Sequence, residues 1–363
     1  MTKPSDIDLL VVGQGLAGTA LAWTALRHGL DARVADPDPQ PGRTASRVAA
    51  GLVTPLTGKK INPGWRLGEL MPAARDLYEW AGHRLGRSFF HDITVWRWFA
   101  DAEERRSILE RLTEERISTW VQDVVEAGPG VQAPWGGFRM RGAAWLEAPS
   151  WLDASRAFFA REGRLVEEEV REEDLVLTGD CVQWKGWRAR RVVFAHGLAA
   201  ARSRWFAGLP FRPAVGEVME VRFPGDRPEG VWNQAGKWIA PRRDDGTFLC
   251  GATYGFGEWE ARVRPEGVAE LRGFLDHLVR YPVELKEVRA GVRPILSQSR
   301  PVGGFHPDHP AVGLLNGLGS KGVLTAPWAA DQLVQAISQG RPLDPELDLA
   351  CFHRWVRGGG GDK

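Results

Sequence analysis

Cysteine is scarce in this 363-residue chain, and neither sign of charge is in excess. The three cysteines, Cys181, Cys250 and Cys351, lie far apart and form no CxxC pair. The sequence therefore offers no zinc or iron–sulfur motif and no secreted disulfide framework. Lys plus Arg total 47 and Asp plus Glu total 46. That balance gives no electrostatic reason to expect DNA, RNA or an anionic membrane as the main partner.

Long apolar runs are also missing. No stretch approaches the ~18–20 uninterrupted apolar residues that cross a bilayer, and the residues before the first strand contain no apolar signal segment. We therefore expect a cytoplasmic protein without a transmembrane segment. The hydrophobic share of 43% and the charged share of 26% are typical of a folded globular protein. A length of 363 residues suits two domains, and a homo-oligomer is compatible with it.

The first forty residues have the pattern of a strand, a glycine-rich turn, a helix and a second strand. Residues 8–12 (DLLVV) are an apolar run typical of a buried parallel strand, and Gly13–Gly18 has the form GxGxxG. A helix is predicted from Thr19 to Gly29, its C′ residue, and residues 30–35 are predicted as the second strand. The next residue, Asp36, stands where a carboxylate accepts hydrogen bonds from adenosine ribose hydroxyls and repels a 2′-phosphate.

Each of the three glycines in the GxGxxG motif has a physical role in dinucleotide binding. Gly13 allows the tight turn, Gly15 lets the backbone approach a pyrophosphate, and Gly18 lets the helix pack closely on the strand. The free N–H groups of the first helical turn, which includes Leu16 and Ala17, would face the phosphates. The pattern predicts dinucleotide binding, but it does not by itself choose between FAD and NAD.

The segment 45–55 (ASRVAAGLVTP) favours FAD. It resembles the D-amino-acid oxidase superfamily, which includes glycine oxidase, sarcosine oxidase and the oxidase domain of a bifunctional tRNA-modifying enzyme. In that family a stretch S-x-x-A-A-G follows the second strand and lies along the flavin, where small residues allow close contact. The matching positions here are Ser46, Ala49, Ala50 and Gly51. Arg47, within the stretch, would contact the flavin, a phosphate or water.

Later segments continue the resemblance in family order. Residues 164–170 match the strand region whose valine, here Val170, contacts adenine, and residues 191–197 match the strand that ends in A-x-G at Ala195 and Gly197. Residues 291–294 match G-[VL]-R-P. The residues after Pro294 include no nearby cysteine, so the resemblance implies noncovalent FAD.

The closing match is the segment 316–327 (NGLGSKGVLTAP). Its glycines predict a concavity of backbone N–H groups that leads into a helix N-terminus, a site that attracts negative charge. The resemblance implies that this turn lies beside the flavin ring, where Lys321 would add a cation. The cofactor-binding residues expected here are Gly317, Gly319, Ser320, Lys321 and Gly322.

The resemblance implies an α/β fold with two parts. One is a Rossmann-like FAD-binding domain of the GR2-type, discontinuous in sequence, and the other is a smaller α+β substrate domain with an antiparallel sheet. The boundaries expected are 1–85, 145–207 and 289–357 for the FAD-binding domain, 86–144 and 208–288 for the substrate domain, and 358–363 for a flexible tail.

Three features are predicted within the substrate domain. Residues 101–115 have the charge pattern of a solvated amphipathic helix. Residues 217–223 (EVMEVRF) alternate at period two, which predicts a strand with one solvent-facing side. A hairpin, 237–242 followed by 245–254, would place Tyr254 beside the substrate, with Trp238 in the aromatic position.

The resemblance also implies the reaction. Such enzymes pass a hydride from a carbon bearing an amine to flavin N5 and release an imine, with O2 as the expected acceptor and a small amine or amino acid as substrate. The expected catalytic residues are Arg293, which would anchor a substrate carboxylate as a bidentate guanidinium, Tyr254 and Lys321. His196 is expected to be a buried, satisfied imidazole. Arg300 and Trp65 suggest a substrate larger, more acidic or more aromatic than glycine.

Four readings stay open at this point. The first is an amine or amino-acid oxidase, and the second is a dehydrogenase that passes electrons to a quinone or another carrier. The third is a flavoprotein subunit or an enzyme that modifies tRNA-borne amines. The fourth, an NAD-dependent dehydrogenase, has no use for the segments 46–51 and 316–322.

Overall fold

The structure of this chain is a computed structural model that describes residues 5–37, 44–242 and 246–352. The predicted tail 358–363 and residue Asp245 of the predicted hairpin lie outside these ranges. The α-helices within them are α1 Leu16–Arg27, α2 Ala45–Val48, α3 Leu67–Leu85, α4 Ala102–Arg111, α5 Glu115–Ser118, α6 Ala148–Arg161, α7 Pro265–Leu278 and α8 Gly322–Gln339.

The strands within the same ranges are β1 Ser5–Val12, β2 Ala32–Ala35, β3 Leu52–Val53, β4 Leu56–Thr57, β5 Asn62–Pro63, β6 Phe90–Asp92, β7 Val95–Trp98, β8 Val121–Val125, β9 Gly137–Met140, β10 Ala144–Leu146, β11 Leu165–Val166, β12 Val176–Thr178, β13 Cys181–Trp184, β14 Trp187–Phe194, β15 Ala214–Arg222, β16 Val231–Gln234, β17 Lys237–Pro241, β18 Thr247–Gly251, β19 Gly255–Phe256, β20 Glu284–Arg293, β21 Val302–His306 and β22 His309–Asn316.

The first large sheet has the strand order β11-β2-β1-β14-β13-β12, and β22 pairs with both β14 and β21. Strands β11, β2, β1, β14 and β22 run parallel to one another. Both faces of β1 are buried, with Leu9 and Val11 in one core and Leu10 and Val12 in another, which is why the sequence shows a continuous apolar run. The strands come from three separate stretches of chain, as a discontinuous cofactor domain requires. The exact domain boundaries stay a prediction.

Helix α1 packs so closely on this sheet that only glycine fits at the contact. A Cβ atom added at Gly18 would lie 1.8 Å from the carbonyl oxygen of Gly13, and Gly13 itself has a φ of +103°. The helix starts at Leu16, three residues before the predicted Thr19. The last three residues of the GxGxxG motif, 16–18, therefore already belong to the helix. It ends as predicted, with Gly29 in the left-handed region at φ +76°.

We expect Gly18→Ala to destabilise the protein and Gly273→Ala to stabilise it slightly. Both glycines lie inside helices, but Gly273 has nothing within 4 Å of an added Cβ. Overpacking at Gly18 should therefore cost ~1–3 kcal/mol or more, whereas alanine in an exposed helix gains about 0.5–1 kcal/mol over glycine. Thermal unfolding of both variants measures the difference. Equal melting temperatures would contradict the packing argument.

The second large sheet has the order β19-β15-β18-β17-β16-β7-β9-β8, with β20 paired to β15. Its pairs are antiparallel, as predicted, except that β16 and β7 run parallel. The predicted hairpin forms from β17 and β18. Within the described ranges, no helix combines the length and apolar character that a membrane span requires.

The expectation of one solvent-facing side for residues 217–223 holds toward the end of β15, where Arg222 is exposed and Glu220 is half-buried; the opposite face, which carries Glu217, is buried. Glu217 is fully buried, because helix α7 covers that face of β15 and packs its apolar residues against Met219 and Val221. The alternation at period two therefore separates a face that α7 covers from a face that is buried at Val218 and open to solvent at Arg222.

The amphipathic helix predicted over 101–115 is present but shorter. Helix α4 begins after Asp101, whose side chain accepts the backbone N–H of Glu104 at 2.7 Å and so caps the first turn. It ends at Arg111, and α5 begins a separate turn at Glu115.

Candidate active site

A cavity of about 640 Å³ lies where the two large sheets meet. One wall is formed by the carboxyl ends of the parallel strands, the edge at which open α/β sheets place their ligands. The N-terminal turns of α1 and α8 also contribute to the lining, and the opposite wall comes from β15, β17 and β20. The volume is within the range of about 300–1,000 Å³ that is usual for small-molecule and cofactor sites.

The cavity wall brings together most of the residues that the sequence singled out, from eight separate stretches of chain. Those that line it are Gly13, Gly15, Leu16, Ala17, Asp36, Ser46, Ala49, Ala50, Gly51, Val170, Ala195, Gly197, Gly319, Ser320, Gly322, Tyr254 and Arg293. The part that each plays in binding stays a prediction.

Four predicted residues do not line the cavity. Gly18 lies behind it, at the helix contact described above, and Gly317 provides a left-handed turn at φ +72°. The guanidinium of Arg47 pairs with Asp153 at 2.6 Å instead of facing the cavity. Lys321 precedes α8 as its N-cap residue; its side chain is exposed along part of its length, while burial around the ammonium lowers the pKa of Lys321. Arg47 and Lys321 therefore place no side chain in the cavity wall.

Asp36 closes one end of the cavity. One of its carboxylate oxygens accepts the backbone N–H of Gln14 at 2.8 Å, and the other accepts Nη1 of Arg156 at 2.9 Å. Burial raises the pKa of Asp36, and the bonds from Gln14 and Arg156 partly oppose that shift. Arg156 comes from α6, 120 residues further along the chain, and sequence reasoning missed it because no local pattern links the two positions.

Small residues let the loop around α2 approach the helix α1. The hydroxyl of Ser46 accepts the backbone N–H of Leu16 at 3.1 Å, and a Cβ added at Gly15 would lie 3.1 Å from the same oxygen. Gly15 is the N-cap of α1 and supplies no side-chain cap. The first turn of α1 is therefore a backbone surface that faces the cavity, which suits a phosphate.

Arg293 lies at the other end of the cavity, at the end of β20. Its guanidinium lies over Gly216, where an added Cβ would be 2.4 Å from it, and its Nη1 donates to the carbonyl oxygen of Thr253 at 3.2 Å. Its Cζ is 4.1 Å from the ring centroid of Tyr254. Burial lowers the pKa of Arg293, although the guanidinium stays protonated. Among the described residues, no carboxylate forms an ion pair with it.

A buried ion pair lies behind Arg293, on the opposite face of β15. Glu217 accepts Nε and Nη2 of Arg264 at 2.8 and 2.9 Å and the backbone N–H of Arg264 at 3.1 Å. Its carboxylate also accepts the hydroxyl of Thr253. Burial would raise the pKa of Glu217, but these hydrogen bonds outweigh burial and lower it to about 2. Sequence reasoning missed this pair because no local pattern links Glu217 to Arg264, which lies 47 residues further along the chain.

We expect Glu217→Gln to destabilise the protein in a pH-dependent way. The carboxyl has a pKa near 4.5 when unfolded and about 2 when folded, so its charge stabilises the fold above the unfolded value and loses that effect as the pH falls toward 2. The difference in melting temperature between wild type and variant should be largest at neutral pH and shrink below pH ~4.5. Thermal unfolding across this range measures it.

The matched control for that experiment is Glu284→Gln. Glu284 pairs with Lys286 at 2.8 Å on the surface, and exposed pairs contribute little to stability. Its melting temperature should stay near that of wild type at every pH. A constant difference for Glu217→Gln across the pH range would show that the carboxyl is not held ionised by its partners.

Aromatic side chains surround the mouth of the cavity near Arg293. Trp238, Tyr254 and Trp259 contribute to its lining. We call Tyr254, Phe256 and Trp259 the aromatic rim; they are 47%, 70% and 48% exposed. The rings of Tyr254 and Phe256 lie 5.9 Å apart. The rim is therefore an apolar surface that continues from the cavity into solvent.

The structure bears on two further expectations about the site. His196 lines the cavity, and its buried Nδ1 has no hydrogen-bond partner among the described residues, so a satisfied imidazole stays a prediction. Burial lowers the pKa of His196 to about 4. Arg300 and Trp65 do not line the cavity: Arg300 pairs with Glu346 and stacks on the ring of Trp65 at 5.4 Å. They give no information about substrate size.

The parallel sheet, the glycine turn under α1 and the cavity at the strand ends define the class of dinucleotide-binding oxidoreductases. The family can be stated more closely. A family model described as FAD-dependent oxidoreductase matches residues 8–336, so the chain belongs to that family and FAD is its cofactor. This confirms the resemblance to the D-amino-acid oxidase superfamily.

Curated relatives include bifunctional tRNA 5-methylaminomethyl-2-thiouridine biosynthesis proteins. The protein from Azoarcus sp. (strain BH72) is 26% identical, over 94% of this chain and 58% of that protein. The protein from Caulobacter sp. (strain K31) is 28% identical, over 93% of this chain and 55% of that protein. The chain thus spans little more than half the length of these relatives.

Solved structures show the same fold. Glycine oxidase from Geobacillus kaustophilus is 23% identical with a TM-score of 0.77, over 98% of this chain and all of that chain. Iminodiacetate oxidase from Chelativorans sp. BNC1 is 21% identical with a TM-score of 0.74, over 93% of this chain and 96% of that chain.

The lining of the cavity fits FAD. The first turn of α1 and the carboxylate of Asp36 suit the diphosphate and ribose of the ADP half. The small residues 49–51 and the turn before α8 suit close contact with a flat ring system. When bound, FAD supplies the hydride acceptor.

Proposed function

We propose that this enzyme oxidises a C–N bond of an amine that carries a carboxylate, either an amino acid or a secondary amine. The observation that carries the proposal is Arg293. Leaving a buried charge unpaired is costly, and a planar guanidinium is the side chain best suited to bind a carboxylate in a bidentate manner. A ligand carboxylate would give this cation the partner that the described residues do not supply.

The residues near Arg293 can orient the substrate but offer few groups for proton transfer. The titratable residues in the described lining are Asp36, Glu169, His196, Tyr254 and Arg293. Asp36 and Glu169 come from the segments assigned to the ADP half of FAD. The amine would therefore enter in its neutral form, and the imine product would hydrolyse in water. Binding and orientation are then the main contributions of the protein.

We expect Arg293→Met to weaken carboxylate substrates by roughly 30–150-fold in kcat/KM, since removing one partner of a charged hydrogen-bonded pair costs about 2–3 kcal/mol or more. The purified holoenzyme would be screened anaerobically for bleaching of its visible spectrum by glycine, sarcosine and iminodiacetate, and the variant tested on the best of them. Arg300→Met, which removes an arginine outside the cavity, is the control and should retain wild-type kinetics. Normal turnover by Arg293→Met would refute the anchor.

The electron acceptor is a separate question. O2 is the acceptor we propose, with a quinone or another carrier as the alternative. Peroxide formation under air, compared with reduction of an artificial dye under argon, separates the oxidase from the dehydrogenase.

A second candidate function is the oxidation of an amine carried on tRNA. It is supported by what the names of the curated relatives say of those proteins and by the aromatic rim, because exposed aromatic rings stack on nucleobases. The near-zero net charge argues against strong autonomous RNA binding, so a partner subunit would then supply the tRNA contacts. Co-purification of a partner from native extract would favour this version.

Alanine variants of the rim distinguish the two candidates. If the substrate is a nucleobase amine, Phe256→Ala and Trp259→Ala should each weaken tRNA turnover about 5–150-fold, because base stacking contributes about 1–3 kcal/mol per aromatic side chain. Nucleosides from treated tRNA would be measured by mass spectrometry. If the substrate is a free amino acid as short as glycine, Phe256→Ala should leave its turnover unchanged. Trp135→Ala, 40% exposed elsewhere on the surface, is the control for both assays.

A further inference from the structure

Two arginines lie on opposite faces of β15, and they differ in their partners: Arg264 pairs with a carboxylate, whereas Arg293 bonds a backbone carbonyl. Arg293 lies over Gly216 on the cavity face. Arg264 lies on the other face, where Glu217 follows Gly216 in β15. Its Nε and Nη2 both donate to the carboxylate of Glu217. The pairing therefore neutralises Arg264 and leaves Arg293 available to a ligand. One residue, Thr253, contacts both sides.

Thr253 is fixed to Glu217 by its hydroxyl and its backbone. The hydroxyl accepts the backbone N–H of Glu217 at 2.8 Å and donates to the carboxylate, so both of its hydrogen-bonding roles are used. The backbone N–H of Thr253 also donates to the carbonyl oxygen of Glu217 at 3.4 Å. Thr253 is 1% exposed, so water does not compete for these bonds.

The carbonyl oxygen of Thr253 then accepts Nη1 of Arg293 at 3.2 Å. It is the hydrogen bond that orients this guanidinium within the described residues, and the remaining N–H groups stay available to a ligand. The direction of the guanidinium thus depends on the position of a carbonyl group that Glu217 holds through the threonine hydroxyl.

Glycines make room for the charged groups of this arrangement. A Cβ at Gly267 would lie 2.3 Å from the carboxylate of Glu217, and a Cβ at Gly255 would lie 2.1 Å from the guanidinium of Arg264. With Gly216 under Arg293, three charged groups, one buried and two half-buried, each lie against a residue without a side chain. The close fit leaves Glu217 and Arg264 little freedom to move.

We propose that Glu217 and Thr253 are positioning residues that aim the guanidinium of Arg293 at the substrate carboxylate. The proposal rests on the proposed function, in which Arg293 is the carboxylate anchor. It extends the site to residues on the far face of β15 that touch neither substrate nor cofactor.

The test compares Thr253→Val with Thr253→Ser in the FAD-loaded protein. Valine keeps the shape of threonine and loses the hydroxyl, whereas serine keeps the hydroxyl. Binding of benzoate and of its neutral counterpart benzamide would be followed by the change in flavin absorbance. Thr253→Val should bind benzoate about tenfold more weakly, which corresponds to ~1.4 kcal/mol, with benzamide affinity unchanged. Thr253→Ser should stay within threefold of wild type for both.

Selectivity for the carboxylate separates positioning from a structural role. Equal losses for benzoate and benzamide, or unchanged benzoate binding by Thr253→Val, would overturn the proposal. If Thr253→Val does not retain FAD, Glu217→Gln gives the same test. Positioning predicts weaker benzoate binding by Glu217→Gln; stronger binding would show that Glu217 acts on Arg293 through its charge, and would also overturn the proposal.

Failure of the proposed function is visible in a different comparison. If wild type binds benzoate no better than Arg293→Met does, Arg293 is not a carboxylate anchor, and both proposals fall. If wild type binds benzoate, Arg293→Met does not, and the Thr253 and Glu217 variants bind it normally, only the positioning proposal falls.

Discussion

Burying a guanidinium in a cavity wall costs free energy when no carboxylate pairs with it, and among the described residues none pairs with Arg293; the groups around it offset part of that cost. Arg293 receives one backbone carbonyl, from Thr253, and the face of one aromatic ring, from Tyr254. Gly216 gives it room. The strands β15, β18 and β20 must keep a fixed register for these groups to meet. Strands β15 and β20 also contribute to the wall of the cavity, so the register that forms the wall also positions Arg293.

The two ends of the cavity differ in the chemical groups that form their surfaces. At the end assigned to the ADP half of FAD, backbone N–H groups and glycines form the surface, and the first turn of α1 supplies the electrostatic attraction. At the other end, long charged side chains meet across strands that are distant in sequence. The first kind of surface suits a cofactor that every member of the family shares. The second suits a substrate that can differ, because a side chain is replaced more easily than a helix terminus.

That difference explains how much the sequence could predict. The βαβ unit is local: turn, helix start and helix end all follow from residues 13–29, so the sequence located them to within three residues. The family segments placed most of the cavity lining for the same reason. Arg156 beside Asp36 and Arg264 beside Glu217 were missed because each pair joins elements far apart in the chain. Burial of Glu217 was missed because α7, which covers it, gives β15 no local signal.

The aromatic rim bears on the size of the substrate. Apolar side chains gain free energy only when a ligand removes them from water, by roughly 25 cal/mol per Å² of buried area. A ligand as short as glycine, anchored at Arg293, would contact Tyr254 and leave Phe256 in solvent. A substrate with a flat apolar group beyond its amine would cover both rings while its carboxylate stayed at the guanidinium. Because the rim begins at Tyr254 beside Arg293 and continues to the exposed ring of Phe256, it favours, within the proposed function, a substrate that extends out of the cavity, whether a large free amine or a nucleobase.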